Sequence, residues 1–282
     1  MFDFRYHALS LVAVFLALAI GILLGATIGN SLVSDADKGI RSSLHADVIN
    51  ARNAANQAQS QLSQRDKIIS SSLPMLVQGE LSGQRIAIVA TGSLPSSIES
   101  EVRQTVETAG GVVDSLSEFD VPNNLDSIEQ AAGVRGRNPA VVQGFARRVV
   151  RSIISGTGVS DRMRRALPDT MRGNFTGAGT AIFYRSQPPD QDSDQDKSLR
   201  EAFENGLADG LKSTGVQVVG VEEQSTDPSQ VGWYKDHGMS TVDSVDLPGG
   251  QLALVFALAG QQGNFGVKSG ATPLPKLPIG SG

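Results

Sequence analysis

The densest set of candidate metal ligands is the acidic run Asp190, Asp192, Asp194 and Asp196 in PPDQDSDQDK. Asp190, Asp192 and Asp194 alternate as the opening ligands of a calcium loop do, because a hard cation takes several carboxylate oxygens at once. Glu201 stands where such a loop closes, counted from Asp190, but Gln195 replaces the glycine of its sharp turn. A solvated acidic loop that favours the start of the following helix through the helix dipole fits better than a calcium site.

Other chemistry is sparse. Thr91-Gly92-Ser93 follows an apolar run where a phosphate loop would sit, yet neither G-x-G-x-x-G nor G-x-x-x-x-G-K-[ST] is present, so a turn is expected. G-x-S-x-G and H-E-x-x-H are missing as well. His7, His45 and His237 are too far apart in sequence to be expected to converge. Cysteine is absent, which removes disulfides, thiolate metal sites and cysteine nucleophiles. Copper(I) favours thiolate and thioether, and copper(II) favours imidazole. Met75, Met163, Met171 and Met239 are scattered and read as core filling. From the residues alone, no catalytic set, metal site or cofactor is expected.

Basic charge concentrates in Arg135, Arg137, Arg147, Arg148, Arg151, Arg162, Arg164, Arg165 and Arg172, in a chain of net charge −5. Arg147, Arg148 and Arg151 share one side of a helix. They are candidates for meeting an acidic protein, an anionic cell-wall polymer or anionic lipid, with a solvated face as the alternative. The aromatic content of 5% argues against base stacking, and no nucleic-acid partner is expected.

These residues must be positioned by a chain that opens on an apolar run. No charge occurs from Ala8 to Ser34. A bilayer core needs about 20 apolar residues in a helix, more than the roughly 7–15 of a signal peptide. Ser34-Asp35-Ala36 is also a poor cleavage site. An uncleaved anchor at 8–30, after a flank at 1–7, is therefore favoured over a cleaved signal. Ala13, Ala17, Gly21, Gly25 and Gly29 recur every fourth residue, a small-residue stripe that lets a second helix approach. Arg5 and His7 before the span nearly balance Lys38 and Arg41 after it, so orientation is weakly encoded.

Residues 31–72 contain Gly39 and no proline. Leu44, Val48, Ala51, Ala55, Ala58, Leu62 and Ile69 follow heptad spacing, interrupted by Arg65. A coiled-coil-like stalk that pairs with a second copy is expected, with a loose spacer helix as the alternative. Residues 80–258 read as an α/β domain. Strands are expected at 85–90, from Val112, at 180–184, 216–221 and 252–258. Helices are expected at 96–109, 124–133, 139–155, 160–166 and 196–213, with a helical turn over 228–235. This alternation predicts a Rossmann-like, mainly parallel sheet with flanking helices. The Gly/Pro-rich tail 259–282 is expected to be disordered.

The opening Arg5-Tyr6-His7-Ala8-Leu9-Ser10-Leu11-Val12-Ala13-Val14-Phe15-Leu16-Ala17-Leu18-Ala19-Ile20-Gly21-Ile22-Leu23-Leu24-Gly25 resembles that of the actinobacterial MctB-like copper transporter family. Ser240-Thr241-Val242-Asp243-Ser244-Val245-Asp246 with the run Leu252–Leu258 resembles its ending. The resemblance implies an envelope protein in the plasma membrane with its domain outside, an outer-membrane location for some members, and a role in copper efflux. It also implies kinship with SteB-like cell-separation proteins, which work with a partner to control a peptidoglycan hydrolase. Asp243 and Asp246 match the family motif, although capping a turn before Pro248-Gly249-Gly250 explains them equally. A β-barrel pore needs many amphipathic strands of about 10 residues, which these short apolar strands do not supply. A non-enzymatic, membrane-anchored dimeric scaffold is the expectation from the residues; copper handling is the expectation from the resemblance.

Overall fold

The computed structural model describes residues 4–133, 136, 138–157, 159–187, 192–268 and 270–275. Contacts divide the chain into two units, 1–64 and 65–282. Helix α1 (Phe4–Val77) accounts for the described part of the first unit. It includes Tyr6–Ala26, 21 residues of mean hydropathy 2.7, long and apolar enough to cross a membrane. The stalk residues Leu44, Val48 and Leu62 are exposed by 57%, 47% and 51%.

The helix was expected to end at 72, before Pro74. It continues to Val77 with Pro74 in its last turns. Proline withholds one N–H from the ladder. Tertiary burial of Leu73 and Val77 in the second unit's core outweighs that loss.

The second unit is built on a sheet in the order β3-β2-β1-β4-β5-β6-β7. The strands are β1 (Arg85–Thr91), β2 (Val112–Phe119), β3 (Met171–Gly173), β4 (Thr180–Arg185), β5 (Gln217–Val221), β6 (Ser240–Val242) and β7 (Asn264–Phe265). All neighbours are parallel except β3, which runs antiparallel to β2. A parallel sheet has to bury both faces, so its central strands read as continuous apolar runs. In β1, Ile86, Ile88 and Ala90 enter one core, and Ala87 and Val89 the other.

The first core is covered by α2 (Ser96–Thr108) and α8 (Pro248–Leu258), together with Leu73 and Val77 of α1. The second is covered by α3 (Leu125–Ala132), α4 (Pro139–Ser155), α5 (Val159–Ala166), α6 (Asp194–Thr214) and α7 (Val231–Asp236).

Two expectations are corrected. Residues 252–258, expected as the last strand, are the buried helix α8. A run apolar on all sides has no period that tells helix from strand. Here leucine and alanine favour the helix. Pro248 stands at its first turn, where a missing N–H costs nothing. The tail expected to be disordered from 259 instead supplies β7, which pairs with β6. Residues 276–282 lie outside the described residues.

The packing of α4 on α6 depends on Gly206 and Gly210. A Cβ on Gly206 would meet the Gln143 carbonyl and the Ala146 methyl; one on Gly210 would meet Val150 and the Arg147 backbone. Gly206→Leu and Gly210→Leu should each destabilise the domain by about 1–3 kcal/mol or more, the range of core overpacking. Thermal unfolding of the full chain in detergent checks this, and unchanged melting would refute the close packing.

Candidate functional site

In open α/β sheets, ligands bind beyond the carboxyl ends of the strands, where successive connections leave to opposite sides. Here that point lies between β1 and β4, since the chain passes from β1 to β2 on one side and later enters β4 on the other. The loop after β1 is closed off: the Gly92 N–H donates to the Phe119 carbonyl at 2.8 Å, and the Leu94 N–H donates to Glu118 at 2.9 Å. Thr91-Gly92-Ser93 is therefore a turn whose Gly92 amide is already bonded.

Beside it lies a buried charge network. Glu204, on α6, is 2% exposed at its side chain, and Arg185, at the end of β4, is 12% exposed. Arg185 Nε donates to Glu204 Oε2 at 2.8 Å, and the Thr91 hydroxyl donates to Oε1 at 3.3 Å. The guanidinium also bonds the Gln230 side-chain oxygen and lies 5.2 Å from the Trp233 ring centroid. Burial raises the Glu204 carboxyl above its ordinary range, and Arg185 draws it back. Tyr234, fully buried, donates to the Val221 carbonyl and accepts from the Arg185 N–H, both at 2.9 Å. Burial raises its hydroxyl too.

A second pair follows β5. Glu222 accepts from the Ser229 hydroxyl and from Lys268 Nζ, both at 2.7 Å, and from the Gln230 N–H. Lys268 arrives on the chain after β7. That segment is pinned by Asp243, which accepts from the Val267 and Lys268 N–H groups at 2.8 and 3.0 Å. Gly266, at φ +136°, leaves room for this carboxylate; a Cβ there would collide with it. Asp243 thus clamps a distant segment rather than the turn before Pro248. Asp246 caps the Gln224 N–H at 2.8 Å.

On the other side of the strand ends, three carboxylates repel one another. Glu101 is raised first by burial, then by Asp246 and Glu223; Glu223 is raised by burial, then by Asp246. Tyr184 is pushed up to about 12 by burial, then by Glu223 and Glu222. Tyr184, Glu223 and Asp227 share the lining of a cleft of about 230 Å³.

The remaining candidates fall elsewhere. Arg147 pairs with Asp209 at 2.7 Å, Arg164 with Asp161 at 3.7 Å, and Arg172 with Glu118 at 2.6 Å. Arg148 and Arg151 are exposed, make no ion pair among the described residues, and line a groove of about 600 Å³ with Ser155, Thr157, Ser213 and Thr214. Arg135, Arg137 and Asp190 lie outside the described residues. Asp192 bonds Arg200, and the Ser193 hydroxyl caps α6 by accepting from the Asp196 N–H at 3.2 Å. His237 stacks on Trp233 with centroids 3.9 Å apart. Met163, Met171 and Met239 are core residues, and Met75 is exposed. Ala13, Ala17, Gly21 and Gly25 line an exposed helix surface, with nothing within 4 Å of a Cβ placed on either glycine. Among the described residues, no group of three His, Cys, Asp or Glu side chains is placed to hold a metal ion.

Arg185, Glu204, Glu222, Gln230 and Lys268 were not anticipated. For Arg185 and Glu222 the signal was a charged residue directly after an apolar run, TAIFY and VVGV; Glu204, Gln230 and Lys268 carry no such signal.

Among the described residues, one helix, Tyr6–Ala26, is long and apolar enough to cross a membrane, and with the mostly parallel α/β domain that follows it the chain fits a single-pass membrane protein. The family model "Copper transport outer membrane protein, MctB" matches residues 1–141 and 170–275, and the chain belongs to this family. No curated protein matches the chain.

Arg185→Met leaves Glu204 buried without its partner and should cost about 3–5 kcal/mol, read by thermal unfolding; Glu204→Gln, which keeps a hydrogen-bonding group, should cost less. Glu101 has a raised folded pKa, so its ionisation opposes folding as pH rises above its ordinary value. Glu101→Gln should therefore raise the melting temperature at pH 7.5 relative to wild type, and the difference should shrink towards zero at pH 4. An equal gain at both pH values would assign the effect to packing.

Proposed function

We propose that this protein is a non-enzymatic scaffold of the cell envelope, anchored by Tyr6–Ala26 with its α/β domain outside the plasma membrane and acting as a parallel dimer. The observation that carries this reading is the exposed apolar seam Leu44, Val48 and Leu62, continued by Ala51, Ala55 and Ala58. A solitary helix gains nothing from such a stripe; a second copy buries it. Insertion in one membrane orientation sets two copies parallel. In a parallel heptad pairing, Asp47 flanks the seam opposite Arg52 of the second copy, a pairing of opposite charges. Neither residue makes an ion pair within its own chain among the described residues. The stripe Ala13, Ala17, Gly21, Gly25 and Gly29 supports the same association inside the bilayer.

The family description connects this scaffold to copper transport. In the alternative role, it recruits partners that control peptidoglycan hydrolysis and cell separation. Arg148 and Arg151 then meet an acidic protein or an anionic cell-wall polymer, while the sheet supplies a Rossmann-like platform.

The absence of cysteine makes single-cysteine cross-linking unambiguous. In native membranes, Val48→Cys and Ala55→Cys should form disulfide-linked dimers under mild oxidation, while Asn53→Cys, on the opposite helix face, should not. Gly21→Leu with Gly25→Leu should reduce the yield. Equal linkage at all three cysteine positions, or none, would remove the dimer. A strain carrying Val48→Lys with Leu62→Lys should match a deletion strain in copper sensitivity if the dimer serves copper handling, and in septum morphology if it serves cell separation.

A further inference from the structure

The cleft at the carboxyl ends of β4 and β5 has an unbalanced lining. Glu223 and Asp227 are acidic, Arg185 is the one basic lining residue, and Gln187, Ser225 and Thr226 add polar groups. The nearby cations are already engaged: Arg185 by Glu204 and Gln230, and Lys268 by Glu222 and the Thr226 carbonyl. Glu101 and Asp246 add negative charge close enough to act on Glu223 or on each other. Two polar groups stand unanswered. Tyr184 is 8% exposed, lines the cleft, and its hydroxyl has no hydrogen-bond partner among the described residues. Glu101 Oε2 is buried, also without a partner.

A buried acceptor without a donor is costly, and so is a set of like charges without a counter-charge. A cation in the cleft offsets the charge of Glu223 and Asp227 and gives the Tyr184 oxygen a donor, and it lessens the repulsion that Glu101, outside the lining, feels from Glu223. A bare metal ion needs several ligands within a short radius, and no such group of three occurs among the described residues. Spread acceptors around a cleft of about 230 Å³ suit an organic cation. An ammonium group offers three donors at the tip of a flexible stem, and the Tyr184 ring supplies an aromatic wall.

We propose that this cleft binds an alkylammonium group, held by Glu223 and Asp227 at the mouth and by the Tyr184 hydroxyl as the inner acceptor. The group belongs either to a free diamine or to a lysine side chain of a protein.

The test is calorimetric titration of the full chain in detergent micelles with cadaverine, with an acetyl-Gly-Lys-Gly-amide peptide, and with calcium chloride. At least one ammonium probe should bind saturably. Glu223→Gln should weaken it about tenfold or more, the scale of one charge-assisted hydrogen bond. Tyr184→Phe should weaken it severalfold, and Lys212→Ala, exposed in the last turn of α6, should leave it unchanged. Binding of cadaverine alone identifies a small-molecule site, and binding of the peptide identifies a side-chain site; either supports the proposal. Should Glu223→Gln melt below wild type, Asp227→Asn takes its place, with the same weakening expected. The proposal is overturned if neither probe saturates, if the acidic variants bind as wild type does, or if calcium alone binds in a Glu223-dependent way.

Discussion

A parallel sheet must be shielded from water on both faces, and the rest of this domain follows from that requirement. β1 sends Ile86, Ile88 and Ala90 to one side and Ala87 and Val89 to the other. Two helical layers are therefore obligatory. Each is closed by a different device. On one side, α8 is so apolar that it is buried around its whole circumference. On the other, α6 carries glycines where it meets α4, so the two backbones approach closely. With both faces covered, the strand ends are the remaining route between sheet and solvent. That is where the buried charges gather.

Those charges are arranged unevenly. Around Glu204 and Glu222, each carboxylate has its cation and additional donors, and the result is a rigid, satisfied network. A buried pair of this kind gives little net stability, because desolvation offsets attraction, yet removing one member is expensive. A short way along the same edge, Glu101, Glu223 and Asp246 have no cation partner among the described residues, although Asp246 accepts the Gln224 N–H. The contrast separates a structural cluster from a surface still able to accept charge.

Much of the architecture was legible in the sequence. The span, the strands β1, β2, β4 and β5, and the helices α2, α4 and α6 carry strong periodicity or cap signals. The structure adds the caps: the Asn138 side chain accepts from the Ala140 N–H at the start of α4, and Gly215 closes α6 in the left-handed conformation. What was missed has physical causes. α8 has no amphipathic period because it has no exposed side. β3, β6 and β7 are too short for a pattern and exist because neighbouring strands offer them hydrogen bonds. The site residues were hidden because Arg185, Glu204, Glu222 and Lys268 are distant in sequence and become partners through the topology. Asp243 was visible as part of a motif, but its partners, the amides of Val267 and Lys268, were not.

The clamp between Asp243 and the segment carrying Lys268 bears on the order in which the protein is made. Synthesis proceeds from the N-terminus. Glu222 therefore emerges well before the lysine that neutralises it. A nascent chain interrupted between them carries a sheet edge without β7 and an acidic group without its cation. Pairing of Glu222 and of the β6 edge waits on the segment that carries β7 and Lys268, so a product stalled or trimmed before that segment is chemically distinguishable from one that includes it.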